Sequence, residues 1–264
     1  MRTFNLIIMS GCLLLSAPAA SAQAEAPSSP PQNVIAIGAG IMPEHTGSDE
    51  SVILPVAFGQ VQIGRAQIEL GGLGLRANLS PDSRFSVGPV IGARLPRDDA
   101  DGAVGRLPEL DVAVEAGGFI GYQFGGSGSG RGPISTDLSI VHDVSGVHDG
   151  LLATAAARYG LIRQRNMSLS IDTQITWASE DYMQTYFGVT DRDAAQSGLD
   201  TFRPDAGFRD IGAGFTAGYW FGPSLGVIGR AGVSYLVGDP ADSPVVDDGS
   251  RWQPVAALTL AYRY

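Results

Sequence analysis

His142, Asp143, Ser145, His148 and Asp149 lie within one short stretch. A base, an acid to orient it and a hydroxyl are the types that build a hydrolase triad. Two histidines beside two carboxylates are also types that ligate metal. Both chemistries need the groups aimed at one point. Here His142 and His148 flank a tight reversal between two alternating apolar runs. The simpler expectation is therefore a Ser-, Asp- and His-rich polar turn, with a lipid hydrolase as the enzyme alternative.

The runs on either side set the architecture. Ile134, Thr136, Leu138 and Ile140 oppose Ser135, Asp137 and Ser139; Leu151, Ala153, Ala155, Ala157, Tyr159 and Leu161 oppose Thr154 and Arg158. A two-residue period means a strand with one apolar and one polar face. The same period recurs at 85–94, 110–123, 167–177, 210–221, 226–235 and 255–264. In the last run Ala256, Leu258, Leu260, Tyr262 and Tyr264 alternate with small or polar residues, and the sequence given ends on that aromatic. An exposed apolar edge would aggregate in water. The polar face is glycine-rich with isolated charges of both signs, which suits a narrow lumen. Aromatics such as Phe85, Tyr122, Phe124, Tyr159, Trp177, Tyr219, Trp220 and Tyr235 fall near strand ends, as an interfacial girdle requires. These patterns predict an all-β protein, a transmembrane antiparallel β-barrel, with Leu260, Tyr262 and Tyr264 as its closing signal.

Composition agrees. The chain has 264 residues, 36 glycines and a net charge of −10. Every basic residue is arginine, and an acidic balance argues against nucleic acid as a partner. Residues 1–22 read as a cleaved secretory signal: Arg2, the apolar stretch Leu6 to Leu15, then Ala20-Ser21-Ala22. Cys12 lies inside it, so the mature protein is expected to carry no thiol. Residues 23–32, rich in proline, read as a short periplasmic lead, and 33–264 as the barrel.

A first strand is expected near 34–41. The stretch 52–79 is too long for one strand of about 9–11 residues. Its apolar phase changes: Val52, Leu54, Val56 and Phe58 share one parity with Ile68 and Leu70, whereas Leu73, Leu75, Ala77 and Leu79 take the other. Three strands near 51–58, 61–70 and 72–79 give about twelve in all, against about ten if the stretch holds one. Connection lengths alternate. The long ones are 95–108, 144–150, 179–206 and 238–251; the short ones are 80–83, 125–132, 165–166 and 222–224. Barrels of this kind keep short turns in the periplasm and long loops outside.

Register places one lumen constellation. Allowing a bulge, Arg158 falls opposite Asp172 or Gln174, with Asp137 alongside from the preceding strand. The expectation is a ladder, Asp137–Arg158–Asp172, that fills and stiffens the barrel. The loop acids Asp98, Asp99, Asp101, Glu180, Asp181, Asp191, Asp193, Asp239, Asp242, Asp247 and Asp248 lack the spacing of a calcium loop. The simpler expectation is a solvated acidic rim; the alternative is Ca²⁺ or Mg²⁺ held there to bridge lipopolysaccharide. Outer-membrane lipid and lipopolysaccharide are the expected partners.

Three loop segments carry a resemblance. Ala178 to Thr190 contains Glu180, Asp181, Tyr182, Gln184, Tyr186 and Phe187 and runs on to Ala194–Leu199; Gly238 to Val246 contains Asp239, Asp242 and Ser243; His148-Asp149-Gly150-Leu151-Leu152 is the third. With Gly47-Ser48-Asp49 and Gly72-Leu73-Gly74, they resemble the MipA/OmpV family of outer-membrane proteins across nearly the whole mature chain. The resemblance implies an outer-membrane barrel without catalytic residues or cofactor. It also implies a non-enzymatic scaffold joining a periplasmic lytic transglycosylase, a murein hydrolase, to a penicillin-binding murein synthase. The alternatives are a small-solute channel, or a surface adhesin or ligand-binding protein that uses loop 179–206.

Overall fold

A computed structural model describes residues 33–81, 84–98, 100–125 and 132–264. The signal peptide and periplasmic lead expected at 1–32 lie outside the described residues, as does Asp99. Twelve antiparallel strands close into one barrel in sequence order, with β1 paired to β12. They are β1 (Val34–Pro43), β2 (Ser51–Ile63), β3 (Ala66–Gly71), β4 (Gly74–Asn78), β5 (Phe85–Arg94), β6 (Ala113–Phe124), β7 (Ile134–Asp143), β8 (Leu151–Arg163), β9 (Met167–Ala178), β10 (Gly207–Trp220), β11 (Leu225–Leu236) and β12 (Trp252–Arg263). Closure pairs every strand on both sides, so no edge is left to aggregate. Among the described residues no helix is long and apolar enough to cross a membrane; the strands cross instead.

The two-residue period becomes two surfaces. Ile37, Ile53, Phe215, Leu258 and Leu260 belong to an exposed apolar band, each at least 49% accessible. Such a band is stable only against lipid. The intervening side chains point into the lumen.

Two expectations about strand limits need correction. The stretch 51–79 does hold three strands, but the first reversal lies at Gly64-Arg65, beyond the expected end at 58. Gly64 takes a φ of +60°, which a tight hairpin needs and glycine supplies without steric cost. Past Phe58 the apolar parity reverses, with Val61 and Ile63 on the opposite face, but the strand itself is unbroken and β2 runs on to that glycine. The second reversal falls at Gly72, where the phase changes. The alternation also places the start of the strand after loop 95–108 near Leu110; β6 begins at Ala113, and Leu110 makes only an isolated bridge to Arg97.

The lumen is not uniformly polar. Ala36, Val56, Phe58 and Ala261 form a buried apolar cluster joined by Val34, Trp220, Ile228 and Ala257. A second cluster joins Met42, Leu95 and Val255 to Val52, Leu54 and Leu73. Thus Val52, Leu54, Val56 and Phe58 face inward, while Ile53 takes the lipid side. Trp220 is likewise a lumen residue and not part of the girdle: it packs in the first cluster under the Arg263 guanidinium, 4.1 Å from its ring centroid.

Candidate functional site

The long connections 44–50, 95–112, 144–150, 179–206 and 237–251 all emerge at one end of the barrel and interlock. Loop 179–206 contributes α1 (Glu180–Phe187) and α2 (Asp191–Ser197); loop 237–251 contributes α3 (Pro244–Asp247). Local chemistry starts each helix. Thr190 and Asp193 form a reciprocal capping box on α2. Pro244 opens α3, and the Ser243 hydroxyl accepts from the Val245 amide. Glu180 and Asp181 put negative charge in the first turn of α1, where the helix dipole favours it. The Glu180 carboxylate also accepts from the Gln184 side-chain Nε2 at 2.6 Å.

Helix α1 turns its apolar face into the barrel mouth. Tyr182, Met183 and Phe187 are fully buried, Tyr186 nearly so, and they pack with Leu152, Ala178, Leu236 and Val246. Burying side chains of this size stabilises by roughly 1.5–3 kcal/mol each. Charges surround the rings. Arg94 sits 4.9 Å from the Tyr182 ring and 5.5 Å from that of Tyr186. Arg209 donates to the Tyr182 hydroxyl at 2.9 Å and also pairs with Asp210. Arg94 in turn donates to Glu115 at 2.7 and 3.0 Å. Burial raises the Tyr186 phenol pKa well above its ordinary range, so the ring stays neutral.

The family-like segments, distant in sequence, meet here. His148 stacks edge-on against Tyr182 and Tyr186 and lies 3.3 Å from Glu115. A β-carbon on Gly150 would stand 2.6 Å from the Tyr182 amide nitrogen, so only glycine lets the two loops approach this closely. Ser243, itself fully buried, donates to the Phe187 carbonyl at 2.6 Å. Gly47 donates to Gln253 and accepts from the Ser250 amide. Asp239 accepts from the Asp205 amide at 2.7 Å, while Asp242 stays exposed, 3.7 Å from Arg251. Arg106 grips the Ser197 carbonyl. The result is a lid knit across all five loops.

The His142–Asp149 stretch does not assemble a triad. His142 is exposed on the outer face of β7, whereas Asp143 points inward and is buried. The Asp143 carboxylate is occupied by the Ser145 hydroxyl and by the amides of Ser145, His148 and Asp149. The Ser145 hydroxyl accepts from the Val114 amide as well, and His148 faces Glu115. These residues fold the hairpin and anchor the lid.

Deeper in the lumen, Arg158 stands opposite Asp172 in register and Asp137 opposite Ala156. Two arginines that sequence reasoning missed also make short carboxylate contacts here. Arg230 holds Asp172 through both guanidinium ends, at 2.6 and 2.7 Å. Arg76 binds Glu69 at 2.6 Å and approaches Asp137 at 3.7 Å. Arg230 reaches Asp172 past β10, where Gly214 leaves the space. Register with immediate neighbours could not show a partner two strands away; an inward glycine between opposite charges was the available signal.

At the other end the strands are joined through the connections 64–65, 79–84, 125–133, 164–166 and 221–224, of which residues 82–83 and 126–131 lie outside the described residues. In sequence these connections hold Arg65, Arg84, Arg131 and Arg165 against a single acid, Asp82. Arg163 and Arg263 add positive charge at the adjoining strand ends. The long loops carry the reverse balance, with acids several-fold in excess. The barrel is therefore electrically polar along its axis.

A family model described as MltA-interacting protein MipA matches residues 35–264. The chain belongs to the MipA family. Membership and a closed barrel make it an outer-membrane protein. Among solved structures, an outer membrane channel from Pseudomonas putida F1 aligns at 13% identity and a TM-score of 0.45, covering 88% of this chain and 95% of that one. OmpT of Vibrio cholerae aligns at 7% and 0.37, over 79% of this chain and 63% of that one. The Pseudomonas putida toluene transporter TodX aligns at 11% and 0.36, over 89% and 90%. No curated protein matches the chain.

Proposed function

We propose that this MipA-family barrel is a non-enzymatic outer-membrane scaffold whose short-turn end faces the periplasm and binds murein-remodelling enzymes. The observation that carries the reading is the arginine-rich rim of that end, formed by Arg65, Arg84, Arg163, Arg165 and Arg263. Small turns offer little apolar area for a partner. Charge complementarity supplies orientation and encounter rate without large area. An acidic face on a lytic transglycosylase or a penicillin-binding synthase fits such a rim. The family description, MltA-interacting protein, names a partner of this kind. The interlocked lid works against a permanently open pore and gives the outer loops a structural task.

The test is binding of the refolded barrel in lipid nanodiscs to a purified lytic transglycosylase and to a penicillin-binding synthase. Saturable binding that weakens at least about tenfold when Arg65, Arg165 and Arg263 are changed together to Gln is the expected result. Unchanged binding by the triple variant, or none by the parent, overturns the reading. Single-channel recording checks the lid: the parent is expected to be silent, and steady openings would make a channel the better reading.

A further inference from the structure

The lid contains a cavity of about 340 Å³ between loops 95–112 and 179–206. That size falls within the range of small-molecule sites. Its walls mix apolar groups, Leu107, Val189 and Phe202, with two arginines, Arg97 and Arg203. Arg97 is the informative one. It is 7% accessible, and its guanidinium donates to two neutral carbonyls, those of Tyr186 and Pro108. Its Nε is buried with no hydrogen-bond partner, and among the described residues no carboxylate forms an ion pair with it. Buried cations are ordinarily paired with an anion. Elsewhere in this molecule they are: Arg94 has Glu115, Arg209 has Asp210 and Arg230 has Asp172. Arg203, which also lines the cavity, is exposed and adds a second positive charge.

We propose that this cavity binds a small ligand with an apolar body and one carboxylate, the carboxylate lying between Arg97 and Arg203. Asp193 also lines the cavity, but its Oδ2 is engaged by the Thr190 amide and hydroxyl. Asp193 lies near enough to act on the Arg97 charge without forming an ion pair with it, and a bound carboxylate competes with it for that arginine. The acidic rim outside excludes polyanions, so the selected ligand is small and singly charged.

The probe is 4-fluorobenzoate, followed by fluorine NMR with the full barrel in lipid nanodiscs; 4-fluorobenzamide is the neutral isostere and empty nanodiscs the blank. Saturable benzoate binding above the blank, at least about tenfold stronger than amide binding, is expected. Arg97→Gln should weaken it by about tenfold or more. Because Arg97 also holds two loop carbonyls, Arg203→Glu serves as the second variant: exposed, and reversing the charge without opening the lid. It should abolish benzoate binding and leave the lid's protease resistance unchanged. Equal binding of benzoate and benzamide, no saturable binding by the parent, or undiminished binding by Arg203→Glu overturns the proposal.

Discussion

Arg230 reaches past a whole strand to close both guanidinium ends on Asp172. The contact is largely buried, and removing one partner of such a pair strands the other charge. Arg230→Ala should therefore cost about 3 kcal/mol in urea unfolding from lipid vesicles. Arg158, standing opposite Asp172, limits the loss. Arg158→Ala should cost less, since Asp172 keeps Arg230. Equal or reversed costs would show that the load runs through Arg158 instead.

Gly150 and Tyr182 join two loops at a separation no side chain at 150 could share. Gly150→Ala should push α1 off its seat, and Tyr182→Ala should remove about 3–5 kcal/mol of packing there. Limited proteolysis is the readout. Both variants should be cut within 179–206 while the barrel keeps its heat-modifiable migration, and lid loss should raise single-channel conductance. A resistant loop in both would mean that other latches, such as Arg106 to the Ser197 carbonyl, suffice.

His45, in the 44–50 loop, has its pKa lowered from 6.5, chiefly by burial, with Arg97 adding repulsion. The docked loop thus favours neutral imidazole. Above the ordinary histidine value both docked and undocked loops are neutral, and docking has its full strength. As pH falls through about 6.5, the undocked loop takes up a proton that the docked one resists, and docking weakens. Hydrogen exchange over 44–50 should be faster at about pH 5 than at about pH 7.5. His45→Asn should remove that difference; a variant that keeps it would point to another group.

Tyr264 donates its amide to the Asn33 carbonyl, next to the β1–β12 seam. With Leu260 and Tyr262 it lies on the lipid face. Removal of 260–264 is expected to lower the yield of folded barrel in cells more than the single change Tyr264→Ala, read as the heat-modifiable fraction. Equal yields in all three would leave these residues with no role in closure.

Barrel topology was legible because each strand repeats one binary pattern and turn glycines punctuate it. The alternation is clearest in β12, where Leu258, Leu260 and Tyr262 share the lipid face. Legibility failed where the rule inverts. In β2 the apolar parity Val52 to Phe58 faces the lumen, because β1, β2 and β12 pack apolar side chains into it. The loop motifs were recognisable, yet Tyr182, Gly150 and Ser243 could not be seen to touch, since nothing local encodes contact between loops so far apart. The lid cavity was invisible for the same reason: Arg97 reads as one more loop charge until its neighbours are known.

The apolar lumen cluster straddles the junction of β1 and β12. Val34, Ala36, Val56 and Phe58 lie on one side, and Trp220, Ile228, Ala257 and Ala261 on the other. While that junction is open these faces meet water; when it zips shut they meet each other. Ring closure is then also a hydrophobic collapse. The final hydrogen-bonded ladder and the drying of one side of the bore become a single event, which makes the seam hard to reopen.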